Sequence, residues 1–167
     1  MNFTVDVVLP VHNEENDLPR NVVILHDYLK EHLTNPWRIV IADNGSTDNT
    51  LPISEMLAQK YSAVSFLHTP QKGRGLALKT AWLESDADIV SYMDIDLSTN
   101  LNHFPKLLQA LEEGHDLAVG SRLSKGSKTK RSLKRTIISR SYNLIIRGLF
   151  FVGLSDTQCG FKALHRK

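Results

Sequence analysis

The sequence predicts an α/β domain with a mostly parallel central sheet flanked by helices, Rossmann-like in layout. Three observations predict it. Short runs rich in Val, Ile and Leu recur along the chain, and longer stretches of helical character separate them. Several of the short runs are almost continuously apolar, as strands buried on both faces of a parallel sheet must be. Acidic, amide and glycine residues gather just after the apolar runs, where α/β sheets bind their ligands.

The strands are expected at Val5–Val11, Trp37–Asp43, Ala63–Thr69, Asp88–Asp94 and Asp116–Ser121. Helices are expected at Asn16–Glu31, Asp48–Lys60, Leu76–Glu84 and Leu101–Glu113. Gly73 and Gly75 precede the third helix, and Ser46 or Thr47 is a plausible start for the second. Strands alternating with helices imply right-handed crossovers. The polar stretch SKGSKTKRS, Ser124 to Ser132, reads as a loop. After it, residues 133–154 read as an amphipathic-to-apolar helix that either lies on a membrane surface or packs against protein.

A chain of 167 residues holds one domain with a real core and is short for two. Its 41% apolar and 23% charged residues are ordinary for a globular protein. The single cysteine, Cys159, excludes an internal disulfide and fits a reducing compartment. The first residues read as a strand, without the basic, apolar, small-residue order of a secretion signal. No run of roughly 18 apolar residues is present to span a bilayer. The net charge of +2 is unevenly spread. From Leu117 to Ser155 there is no acid, but nine Lys and Arg residues, a balance that suits either a polyanionic partner or a solvated face. No aromatic platform interleaves these cations, which argues against nucleic acid.

The strongest chemical signal is Asp94-Ile95-Asp96, directly after the apolar run Ile89 to Tyr92. Two carboxylates at i and i+2 where a strand ends repel each other unless a cation intervenes, and hard oxygen ligands suit Mg²⁺ or Mn²⁺. The plainer alternative is a polar turn with Asp96 capping the next helix. Pro10-Val11-His12-Asn13-Glu14 leads out of the first strand and Asp43-Asn44-Gly45-Ser46 out of the second. Asp43 stands where other nucleotide-binding folds place an acid for base or ribose, although Asn44-Gly45-Ser46 alone is an ordinary tight turn. Lys72-Gly73-Arg74-Gly75 opens a helix and could hold a diphosphate; it lacks the spacing of a Walker loop. Together these loops describe a nucleoside-diphosphate pocket.

The segments "VVLPVHNEEN", "IADNGSTDNT", "KGRGLALKTAW", "DIDLST", "VGSR" and "DTQCGFKAL", in this order, resemble the family 2 glycosyltransferases of GT-A fold. Within them the chain is most similar to the dolichyl- or polyprenyl-phosphate hexose synthases. The resemblance runs from about Val5 to Leu164 and implies a single catalytic domain over 1–167, either trimmed at its C-terminus or an unusually short member. It implies that Pro10, Val11, Asn13 and Glu14 contact the nucleotide, that Asp43 reads base or ribose, and that Lys72 and Arg74 lie near the nucleotide. Asp94 and Asp96 would hold Mg²⁺ or Mn²⁺ on the diphosphate. Asp156 and Gln158 would serve the acceptor side, Arg122 would face an acceptor phosphate, and Arg135 and Ser139 would supply further basic and hydroxyl partners. Ser98 stands where many relatives carry glutamine, so a third protein ligand to the metal is not expected.

The implied reaction is inverting transfer of a hexose from a GDP-mannose- or UDP-glucose-type donor to a polyprenyl or dolichyl phosphate. The implied location is peripheral, at the cytoplasmic face of a membrane. The alternatives are a hydroxyl-directed family 2 transferase of polysaccharide or glycolipid synthesis, and a non-catalytic nucleotide-sugar-binding module.

Overall fold

The computed structural model describes residues 3–120 and 159–166. The predicted helix over 133–154, the loop before it, and Arg122, Arg135, Ser139, Asp156 and Gln158 lie outside the described residues.

Strands β1 (Val5–Val11), β2 (Trp37–Asn44), β3 (Val64–Thr69), β4 (Ile89–Met93), β5 (Leu117–Val119) and β6 (Phe161–His165) form one sheet in the order β3-β2-β1-β4-β6-β5. The first four pair in parallel, and β6 runs antiparallel to both β4 and β5. The mostly parallel sheet is as expected. The sequence reading missed β6 and with it the antiparallel edge. β1 and β4 are buried at every position, which explains their unbroken apolar runs.

Helices α1 (Leu18–His32), α2 (Thr50–Lys60), α3 (Arg74–Glu84) and α4 (Phe104–Glu112) connect the strands. Pro19 and Pro105 stand in the first turns of α1 and α4, where the missing amide costs nothing. Leu18, Val22, Leu25 and Leu29 recur at helical spacing and are wholly buried against the sheet. Each such side chain stabilises the fold by about 1.5–3 kcal/mol. The opposite face of the sheet packs Val8, Val40 and Ala42 on Ala77 and Ala81 of α3, where small residues let the helix approach closely.

All four helices start a few residues from where they were expected, α1 at Leu18 and α4 at Phe104 among them, and two of the differences bear on the ligand-binding edge. α2 begins at Thr50, later than expected, because the Asp48 carboxylate accepts the Thr50 amide and holds the preceding turn. α3 begins at Arg74, two residues earlier than the glycines suggested, so the basic segment is itself the helix N-terminus. Leu101–His103 is a short 3₁₀ turn leading into α4.

At the amino edge of the sheet, Asp6 is 3% exposed and carries the Arg38 guanidinium at 2.6 and 3.0 Å and the Ser85 hydroxyl at 2.7 Å. Removing the cation leaves a buried carboxylate with one remaining donor. Arg38→Met is therefore expected to cost about 2 kcal/mol in chemical denaturation, less than for a fully buried pair because half the guanidinium is in water. An unchanged denaturation midpoint would refute this. This ion pair fixes the end of the sheet remote from the acidic and glycine loops.

Candidate active site

Every parallel strand delivers its carboxyl end to the same edge, and the loops there are tied to one another. The β1 loop and the β2 loop are laced by side chain to backbone. Asn13 Oδ1 accepts the Thr47 amide at 2.8 Å, and its own amide donates to Ser46 Oγ at 3.0 Å. The Glu14 amide donates to Thr50 Oγ1, and Glu15 Oε2 accepts from the amide and the side chain of Asn49. Asn13 has φ 58°, a left-handed conformation that Asn tolerates, and it turns the chain back toward β2.

Asn44 joins three segments. Its Nδ2 donates to the Val11 carbonyl at 2.5 Å, its Oδ1 accepts the Gly73 amide at 3.2 Å, and it is 4% exposed. The sequence reading treated Asn44 only as part of a turn. Here it sets where the glycine-rich loop sits relative to β1. Pro10 and Val11 are themselves buried, so any contact they make with a ligand comes from their backbone.

Asp94 follows β4 and is half-buried; Asp96 is exposed. The Tyr92 hydroxyl donates to Asp94 Oδ1 at 2.7 Å, and Arg74 reaches both that hydroxyl, at 3.3 Å, and Asp94 Oδ1, at 3.4 Å. Burial first, then the hydrogen bond and charge of Asp94, push the Tyr92 hydroxyl up to about 12. It therefore remains a proton donor at neutral pH and fixes the rotamer of Asp94. Asp96 Oδ1 accepts the Ser98 amide, and Leu97 completes the turn with its amide on the Asp94 carbonyl and φ 47°. A leucine held left-handed directly after Asp96 is strain localised at the site.

Glu14 lies near this pair. Burial first, then the charges of Asp17, Asp96 and Asp48, hold its carboxyl above the ordinary range, with Arg74 acting the other way. Acids from the β1 loop, the β4 end and the α2 approach thus share one edge with the Arg74 guanidinium. Lys72 is exposed beside them. The N-terminus of α3 begins at that edge, where the partial positive charge of a helix start favours anions.

β6 adds what the sequence did not announce. Its register with β4 pairs Met93 with Phe161, which sets Gly160 opposite Asp94. A Cβ on Gly160 would stand 2.1 Å from Asp94 Oδ2. A small cavity lined by Met93, Asp94, Leu97, Gly160 and Phe161 borders this contact, and Cys159 is buried beside it. A wider groove of about 430 Å³ runs along Asp17, Arg20, Asn21, Asp96 and Asn100. Among the described residues, no group of three His, Cys, Asp or Glu side chains could hold a metal alone. No helix among them is long and apolar enough to cross a membrane.

The family model for glycosyl transferase family 2 matches residues 6–167. The chain belongs to glycosyl transferase family 2. It is 33% identical to glycosyltransferase AglD of Haloferax volcanii, over 98% of this chain and 27% of that protein. It is 31% identical to the dolichyl-phosphate beta-glucosyltransferase of Mus musculus, over 96% of this chain and 54% of that one. This family 2 chain thus spans between about a quarter and about half the length of these relatives.

Its fold is that of the GT-A glycosyltransferases. Mannosyl-3-phosphoglycerate synthase from Rubrobacter xylanophilus superposes with a TM-score of 0.72 at 18% identity, covering 98% of this chain and 53% of that one. The mannosyltransferase PcManGT from Pyrobaculum calidifontis, solved with GDP-Man and Mn²⁺, superposes at 0.67 and 18% identity, covering 99% and 45%.

Proposed function

We propose that this family 2 domain transfers a hexose, with inversion, from a nucleoside-diphosphate sugar to a polyprenyl or dolichyl phosphate. The observation that carries the reading is the Arg74–Tyr92–Asp94 network, which joins the basic glycine-rich loop to the paired carboxylates at one sheet edge. Sequence relatives named for dolichyl-phosphate transfer, at 28–31% identity, support the lipid acceptor. The acid-free basic stretch from Leu117 to Ser155 suits a phosphate at a membrane surface.

The donor set fits a divalent cation. Asp94 and Asp96 offer hard oxygens at a partly open position and would hold a Mg²⁺- or Mn²⁺-type ion there. Such an ion would offset charge collecting on the departing diphosphate. Arg74 and Lys72, with the first amides of α3, would grip the same diphosphate. The contacts from Tyr92 and Arg74 would keep Asp94 aimed. Asn13 and Glu14 would border the nucleotide on the β1 side. Arg122, Arg135, Ser139, Asp156 and Gln158 are assigned to the acceptor side by family resemblance. A lipid phosphate is already anionic, so Asp156 would orient groups more than remove a proton.

The test is Asp96→Asn. Transfer from UDP-glucose or GDP-mannose to a polyprenyl phosphate is expected to fall by at least about 100-fold, together with Mn²⁺-dependent nucleotide binding in a titration. Undiminished transfer by this variant in excess chelator overturns the metal mechanism. Product that forms on a free sugar hydroxyl but not on lipid phosphate overturns the acceptor.

A further inference from the structure

Asp43 is the acid that a nucleotide-binding reading assigns to the base, yet it is 0% exposed. Both carboxylate oxygens meet protein. Oδ1 accepts from the Ser46 hydroxyl, and Oδ2 lies 2.6 Å from His68 Nδ1. An ionised carboxylate can only accept, so this contact fixes a proton on Nδ1. In the neutral imidazole, Nε2 at the far side of the ring is then an acceptor. The His68 side chain keeps 37% of its surface exposed, while its partner has none.

The placement follows from the sheet. β2 and β3 pair Asp43 with His68 in register, one residue before each strand ends, so both side chains rise on the same face at the ligand-binding edge. Thr69 Oγ1 donates to the Asp43 carbonyl at 3.0 Å, locking the end of β3 to β2. Four residues beyond Thr69 the chain reaches Gly73, whose amide is held by Asn44. The imidazole therefore belongs to the same rigid unit as the glycine-rich loop.

We infer that His68, oriented by Asp43, is the side chain that reads the nucleobase of the donor, through Nε2 accepting a ring N–H. Asp43 is then a positioning residue. The inference rests on the donor reading proposed above. Its chemistry selects bases whose hydrogen-bonding edge carries a ring N–H, as uracil and guanine do. Cytosine and adenine present a bare ring nitrogen there, which an acceptor repels.

Two variants separate recognition from support. In His68→Asn the amide nitrogen stands where Nδ1 stood, so Asp43 keeps its donor while Nε2 is deleted. In His68→Gln the longer amide can place an oxygen at the far position. Calorimetric titration of UDP, GDP, CDP, ADP and pyrophosphate, each with Mn²⁺, is the measurement. His68→Asn is expected to weaken UDP or GDP about tenfold, the loss of about 1.4 kcal/mol, and to leave pyrophosphate unchanged. Preference over CDP and ADP should shrink in parallel, and His68→Gln should recover part of it.

Unchanged UDP and GDP affinity in His68→Asn overturns the assignment. So does an equal loss for pyrophosphate, which would mean a damaged site rather than a lost base contact. If the unaltered chain binds no nucleoside diphosphate at all, the donor reading falls first and this inference with it.

Discussion

Gly160→Ala is expected to abolish Mn²⁺-dependent nucleotide binding while leaving the domain folded. The added Cβ would lie 2.1 Å from Asp94 Oδ2, 2.7 Å from Cγ and 2.9 Å from Oδ1. No real contact is so short, so something must move. What moves is the end of the Asp94 side chain, because β6 is fixed by its ladder to both β4 and β5. A swinging carboxylate costs the fold little, and thermal unfolding should shift by only a few degrees.

The site loses far more. Asp94 would leave the Tyr92 hydroxyl at 2.7 Å and the Arg74 guanidinium. Losing one arm of the proposed metal grip is expected to cost at least about 100-fold in transfer. Mn²⁺ titration by electron paramagnetic resonance reads the same loss without turnover. Intact Mn²⁺ and nucleotide binding in a folded Gly160→Ala variant would show that Asp94 is not a ligand.

The role of Gly160 was hidden in the sequence for a physical reason. "DTQCGFKAL" was legible as a family segment, but its glycine meets Asp94 only because β6 enters antiparallel beside β4. β6 is five residues long, with Phe161 and Ala163 inward and Lys162 and Leu164 half-buried, too brief a pattern to separate from a loop. β1 and β4 were legible because burial on both faces demands unbroken apolar runs. The carboxylates of Asp94 and Asp96 were legible because they follow such a run directly. Asn44 and His68 act through partners 33 and 25 residues away, Val11 and Asp43, and only strand register brings them together. The early start of α3 has a similar cause: Asn44 takes the Gly73 amide and lets the helix begin at Arg74.

Gly45→Ala should do the reverse of Gly160→Ala, lowering stability first and activity only in consequence. Gly45 has φ +71°, so a side chain there already costs about 1–2 kcal/mol. The Cβ would also stand 2.9 Å from the Pro70 carbonyl oxygen and 3.2 Å from the Lys72 amide nitrogen. Both are backbone atoms, and neither can rotate aside as a carboxylate can. Relief requires the segment from Pro70 to Gly73 to withdraw from β2, against the Asn44–Gly73 and Thr69–Asp43 hydrogen bonds. Strain and strained or broken hydrogen bonds together are expected to cost about 2–4 kcal/mol, which for a domain of this size lowers Tm by about 5–15 °C. At a temperature where the variant is still folded, its nucleotide affinity should fall because Lys72 and Arg74 have been carried outward. A Gly45→Ala variant with an unchanged Tm would mean that the glycine-rich loop does not press on the β2 turn.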